Sequence, residues 1–150
     1  MKLAYQDYVL SFKDGGLEVY KNNRLLYFNR RPMFVTVKTE STASEFYDKA
    51  YDRLNVSGDK IIADGNLFVP SGSGFFFADT FETTGTGFKI SRNVRVIKAG
   101  SDLGFSTKIS FVMTESEDPH DYHCFAPGVW YKQNEFAPDH AFGRDLDCEY

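Results

Sequence analysis

From its start to about residue 114 the chain reads as short apolar or alternating runs punctuated by Gly, Asn, Asp and Pro. The run "LAYQDYVLSF" leads to the turn "KDGG", then "LEVY", the turn "KNN", and "RLLYF". Asp-Gly and Asn-Asn pairs tolerate the positive φ that tight hairpin turns require, so these runs are expected to be hairpin strands. A further strand, "MFVTVKT", has Pro32 marking its start. "KIIADGNLFV" and "GFFFADTFE" are joined by "PSGSG", "GFKISRNVRVIK" follows the turn "TGTG", and "GFSTKISFVMT" follows "AGSDLG".

In the last of these runs Phe105, Thr107, Ile109, Phe111 and Met113 share one face, and Ser106, Lys108 and Ser110 the other. Phe88, Ile90, Val94 and Val96 repeat the pattern one strand earlier, with Arg92 as the exception. Period-2 alternation with one wet face, and no helical segments between the runs, predicts an all-β fold, an antiparallel β-sandwich. The strands at 75–83, 88–98 and 105–114 are expected to form a consecutive meander. One helix, within 42–52, competes with a strand beginning near Tyr51. Thr42 and Glu45 have capping-box spacing, and Tyr47, Ala50, Tyr51 and Leu54 recur at helical intervals.

After Thr114 the pattern stops. The segment "ESEDPHDYHC" is polar and acidic, and it leads into "FAPGVWYKQNEFAPDHAFGRDLDCEY". So long a stretch without strand pattern is usually functional or disordered, and its aromatics argue against disorder.

Composition narrows the function classes. The net charge of −4 on 150 residues lacks the basic excess that phosphate neutralisation demands, which argues against a nucleic-acid partner. No apolar run reaches the length of a membrane-spanning helix, so no membrane partner is expected. Gln6, Asp7 and Lys13 interrupt any signal-peptide pattern, and the cytoplasm is the expected compartment. Cys124 and Cys148 are too few for a disulfide framework and read as reduced thiols. The unusual feature is aromatic content, with 15 Phe and 9 Tyr; most are expected in the core, because Phe and Tyr suit the half-buried faces of sheets, and some on a surface that binds something flat.

Three constellations carry candidate chemistry. His120, His123 and Cys124 stand with Asp118 and Asp121, but the spacing fits no zinc signature, and neither metal nor cofactor is expected. Read as an extended strand, "GRDLDCEY" puts Asp145, Asp147 and Glu149 on one face, about 7 Å apart in succession, a separation inverting glycosidases use for their acid and base. Any strand with alternate acids gives that spacing, and a salt-bridged or solvated face explains it as well. "PGVWYKQNEF" sets Trp130 and Tyr131 beside Gln133, Asn134 and Glu135. Sugar recognition needs this combination, a ring against the C–H face of a pyranose with amides and carboxylates around its edge. Trp130 serves equally well as a core anchor. Trp130, Tyr131, Asn134, Asp145 and Asp147 are the expected carbohydrate-binding residues, and the sequence singles out no catalytic residue.

Together, "YDRLNVSGDKIIADGNLFVPSGSGFFFADTFE", "GFKISRNVRVIK" and "GFSTKISFVMTE" resemble the N-terminal β-domain of bacterial glycoside hydrolases. In that family a sandwich of the galactose-mutarotase type, a supersandwich when complete, precedes an α-helical barrel. The resemblance covers roughly residues 50 to 150 and rests on general pattern. It implies one β-sandwich domain over 1–150, the first part of a larger carbohydrate-active protein. Such a domain would not be catalytic alone, because the acids of that architecture usually lie in the barrel. The implied partners are a carbohydrate and a downstream catalytic domain, and a reduced sandwich with an unpaired sheet edge would invite pairing with a second copy. The alternatives are a free-standing carbohydrate-binding module and a protein-interaction sandwich.

Overall fold

The computed structural model describes residues 1–39 and 44–114, together with the backbone of two short strands at 125–126 and 129–130. The chain divides into two compact units, 1–114 and 115–150. In the first unit the described residues form antiparallel strands and no helix.

Strands β1 (Lys2–Tyr5), β2 (Tyr8–Lys13), β3 (Gly16–Lys21) and β4 (Arg24–Asn29) are consecutive neighbours in one sheet. Their turns carry the predicted chemistry, with φ positive at Asp14, Gly15, Asn22 and Asn23. Gly15 is required at its position: its φ is +74°, and a Cβ there would collide with the Tyr51 carbonyl. That close approach admits a backbone hydrogen bond of 3.0 Å from the Tyr51 N–H to the Gly15 carbonyl, which ties a later segment to the hairpin.

Strand β5 (Met33–Lys38) pairs with β6 (Ser44–Lys49), and β7 (Arg53–Ser57), β8 (Lys60–Phe68), β9 (Gly74–Thr84) and β10 (Gly87–Lys98) make a four-stranded sheet in the order β10-β9-β8-β7. The segment weighed as a helix is therefore strand β6, six residues in register with β5. The pairing along β5 outweighs the weak helical spacing, as tertiary context commonly does. Tyr51 lies in the connection after β6 and precedes β7.

The expected meander holds for β9 and β10 and then fails. Residues after β10 leave that sheet: β11 (Gly104–Ser106) pairs with β5, and β12 (Val112–Met113) pairs with β4. Between them 107–111 form no ladder, because other groups take their polar atoms. Arg92 donates to the Lys108 carbonyl at 2.6 Å, Asn29 to the Ser110 carbonyl at 2.7 Å, and the Thr107 hydroxyl to the Phe34 carbonyl at 2.6 Å. The alternation read from the sequence survives from Thr107 onward: Thr107, Ile109, Phe111 and Met113 are each less exposed than Ser106, Lys108, Ser110 and Val112, whereas Phe105, expected on the same apolar face, is 44% exposed.

One hydrophobic cluster draws on all three sheets, from Leu10, Phe12 and Leu17 through Met33, Val35 and Val37 to Ile61, Phe75, Phe77 and Phe81. The four-stranded sheet packs against both others. Phe81 meets Phe12 edge-on at 4.9 Å, and Phe75 meets Phe105 at 4.9 Å. This is the expected all-β, sandwich-like architecture. Phe88, Ile90 and Val94 pack on the cluster as expected, whereas Val96 is exposed beside a register shift between Val96 and Lys98. In the second unit, β13 (Phe125–Ala126) pairs with β14 (Val129–Trp130).

Candidate functional site

The residues singled out for sugar contact lie outside the described residues, except that the backbone of Trp130 belongs to β14, opposite Phe125. Tyr131, Asn134, Asp145 and Asp147 lie outside the description, as do the His120–Cys124 cluster and both cysteines. Among the described residues no group of three His, Cys, Asp or Glu is placed to hold a metal. No helix among them is long and apolar enough to cross a membrane.

The described residues offer a different site, a groove of about 310 Å³ lined by Phe28, Asn29, Arg30, Arg31, Phe34, Asp48, Lys108, Ser110 and Val112. It follows from strand parity. Phe34 and Phe46 alternate with the core residues Val35 and Val37 and with Tyr47, so both project from the outer face of the three-stranded sheet. Phe28 lies on β4 and Arg30 just past its end, with the guanidinium over the Phe28 ring, and β12 sets Val112 opposite Phe28. The bend 29–32 brings these two faces side by side, and the unladdered stretch 107–111 completes the rim.

Cations lie along the rings. Lys108 Nζ sits 4.9 Å from the centre of the Phe34 ring, and the Arg30 guanidinium 5.2 Å from that of Phe28. Phe46, 72% exposed, lies nearly parallel to Phe34 at 6.1 Å and extends the aromatic surface toward solvent. The donors are pre-positioned from behind. Arg30 Nη1 holds Glu18 Oε1 at 2.7 Å, and Glu18 also accepts from the Tyr20 hydroxyl at 2.7 Å. Tyr20's hydrogen bond, then Arg30's hydrogen bond and charge, hold Glu18 below the usual carboxylate range against the opposing effect of burial. Asn29 braces the bend, accepting from the Arg31 N–H at 2.8 Å while donating to Ser110.

Asp48 is the single carboxylate among the lining residues, and Arg31 Nη1 holds it at 3.1 Å. An acid–base pair for glycoside cleavage needs two carboxyl groups across a bond, and this groove has one. A second cavity, about 150 Å³ beside Phe75, Leu103 and Phe105, also has a single carboxylate, Asp102, whose oxygens are buried without a hydrogen-bond partner among the described residues.

Part of the groove was legible in the sequence. Lys108 and Ser110 fall on the wet face of their run, and they are exposed as expected. What sequence reasoning missed was the pairing of "NRRP" with Phe28 and Phe34. The available signal was two adjacent Arg residues between strand aromatics. Comparison with protein-family models, curated proteins and solved structures finds no match to this chain.

Proposed function

We propose that this chain is a non-catalytic β-sandwich domain that binds carbohydrate and supports the catalytic domain of a glycoside hydrolase. The observation that carries the reading is the run of Phe46, Phe34 and Phe28 beside a rim of amide, hydroxyl and cationic donors. A pyranose presents an apolar C–H face and a polar hydroxyl edge, and this surface complements both. The terminal set Trp130, Tyr131, Asn134, Asp145 and Asp147 is a second candidate contact on the same chemical grounds. Two cysteines without a disulfide framework favour a reducing compartment for this role, the cytoplasm.

The resemblance supports the link to a downstream catalytic domain, and a free-standing binding module would use the groove identically. A protein-interaction role draws on a separate observation, the exposed apolar residues Val96, Leu103 and Phe105 around the cavity beside Phe75.

The test is titration of the whole chain with neutral and charged oligosaccharides, following backbone amide shifts. Changes at 28–34, 46–48 and 108–112, weakened by Phe34→Ala, support the reading. Saturating sugar without shifts at either the groove or 127–149 overturns it.

A further inference from the structure

We infer that the groove selects an anionic saccharide, a uronate-containing oligosaccharide whose carboxylate is received by Lys108 and Arg31. This rests on the reading of the groove as a carbohydrate site and names its ligand class.

The charge balance of the groove is the first argument. Its lining carries Arg30, Arg31 and Lys108 against Asp48. Glu18 neutralises Arg30 from behind, and Asp48 neutralises Arg31. The Lys108 ammonium has no ion pair among the described residues and rests on the Phe34 ring. A neutral sugar needs no such charge beside its stacking surface, whereas a carboxylate on the ring would supply the missing counter-charge.

Geometry adds the second argument. The Arg31 side chain is 67% exposed, and its one carboxylate contact is through Nη1. A guanidinium has five donors in a planar fork, so most of this one's capacity faces outward, in the form suited to bidentate carboxylate recognition.

The third argument is the distribution of charge along the chain. Residues 1–114 hold 15 Lys and Arg against 12 Asp and Glu, whereas 115–150 hold 2 against 9. The net negative charge of the whole chain therefore originates in its last segment, and the unit that carries the groove is itself cationic. That modest excess suits one carboxylate per sugar better than the continuous phosphate track of a nucleic acid, which several unpaired cations would have to follow.

The test titrates the full chain with a short oligogalacturonate, its methyl ester, sodium sulfate and a short oligodeoxythymidylate, following amide shifts. The oligogalacturonate is expected to shift 28–34, 46–48 and 108–112, with affinity falling as sodium chloride rises. Lys108→Gln, an exposed substitution, is expected to weaken it about tenfold, equivalent to 1.4 kcal/mol, with an unchanged melting temperature. Equal binding of the methyl ester in the groove overturns the anionic selectivity and leaves carbohydrate recognition standing. Sulfate or oligodeoxythymidylate binding there as well as the oligogalacturonate overturns the inference in favour of a general anion surface or a nucleic-acid site. Silence of the groove toward both saccharides overturns the inference and the groove's part in carbohydrate binding together.

Discussion

Asp79 on β9 stands directly opposite Arg92 on β10, and the two join at 2.6 Å inside the core. Asp79 is fully buried, and the Arg92 side chain is 10% exposed. The hydroxyl of Tyr51 also donates to Asp79, while Arg92 lies 5.0 Å over the Phe77 ring. From there Arg92 reaches the Pro32 carbonyl at 2.7 Å, the Thr107 hydroxyl at 3.1 Å and the Lys108 carbonyl. One side chain thus fastens the four-stranded sheet to the residue that leads into β5 and to the stretch that rims the groove. Because it has several partners, its two ends should fail differently when cut.

Removing one member of a buried, hydrogen-bonded ion pair strands the other, and Asp79→Ala is expected to cost about 3–5 kcal/mol. Arg92→Met is expected to cost at least as much, since it also orphans the acceptors at Pro32 and Lys108. Urea unfolding gives both values. Hydrogen exchange should show faster exchange around 105–112 for Arg92→Met beyond that for Asp79→Ala. A loss below about 1 kcal/mol in both variants would mean that the pair is not structural.

The same network predicts an alkaline limit. Burial first, and then the charge and hydrogen bond of Asp79, raise the Tyr51 pKa far above its ordinary value of 10.0. Above pH 10 the unfolded chain releases this proton and the folded chain keeps it, so the stability contribution, complete below pH 10, declines as pH rises. Tyr51→Phe is expected to be less stable at neutral pH, with a flatter stability profile from pH 10 upward. Parallel profiles for the two proteins would exclude Tyr51 as the source.

Glu18 sets an acid limit by the opposite sign. Its folded pKa lies below the ordinary 4.5, so its contribution is complete above that value and is lost as pH falls through the folded pKa. Glu18→Gln is expected to show a shallower decline in melting temperature below pH 4.5. If the groove binds as proposed, this variant should also bind a saccharide more weakly at neutral pH, because Arg30 loses its support.

Core truncations should grade with burial. Phe81, fully buried and in contact with Phe12 and Tyr51, is expected to cost about 3–5 kcal/mol as Phe81→Ala. Phe111, partly buried on the cluster and outside any ladder, should cost less, about 1–3 kcal/mol. A Phe111→Ala loss below half a kcal/mol would place that residue on the solvent face.

The isolated chain is expected to lack glycosidase activity. Turnover of aryl glycosides that disappears in Asp147→Asn would overturn this and make the terminal carboxylates catalysts.

The sequence by itself determined what depends on neighbours in the chain. Asp14-Gly15 and Asn22-Asn23 specify hairpin turns because few residues accept positive φ, and alternation assigns Phe88, Ile90 and Val94 to the face that packs on the core. Tertiary structure decided what depends on distant partners. Ser44–Lys49 became a strand because β5 supplied a ladder, which local spacing cannot reveal. Arg92 looked like a break in an apolar face; it is a core residue because Asp79, opposite it on the next strand, neutralises it. The 105–114 run kept its predicted alternation from Thr107 to Met113, left Phe105 exposed, and lost its predicted neighbour. Arg92 and Asn29 took backbone carbonyls between β11 and β12, and those two strands found β5 and β4 instead. The groove arose at the same junction, where Lys108 meets Phe34 across 74 positions of sequence, a meeting that exists only once the sheets have packed.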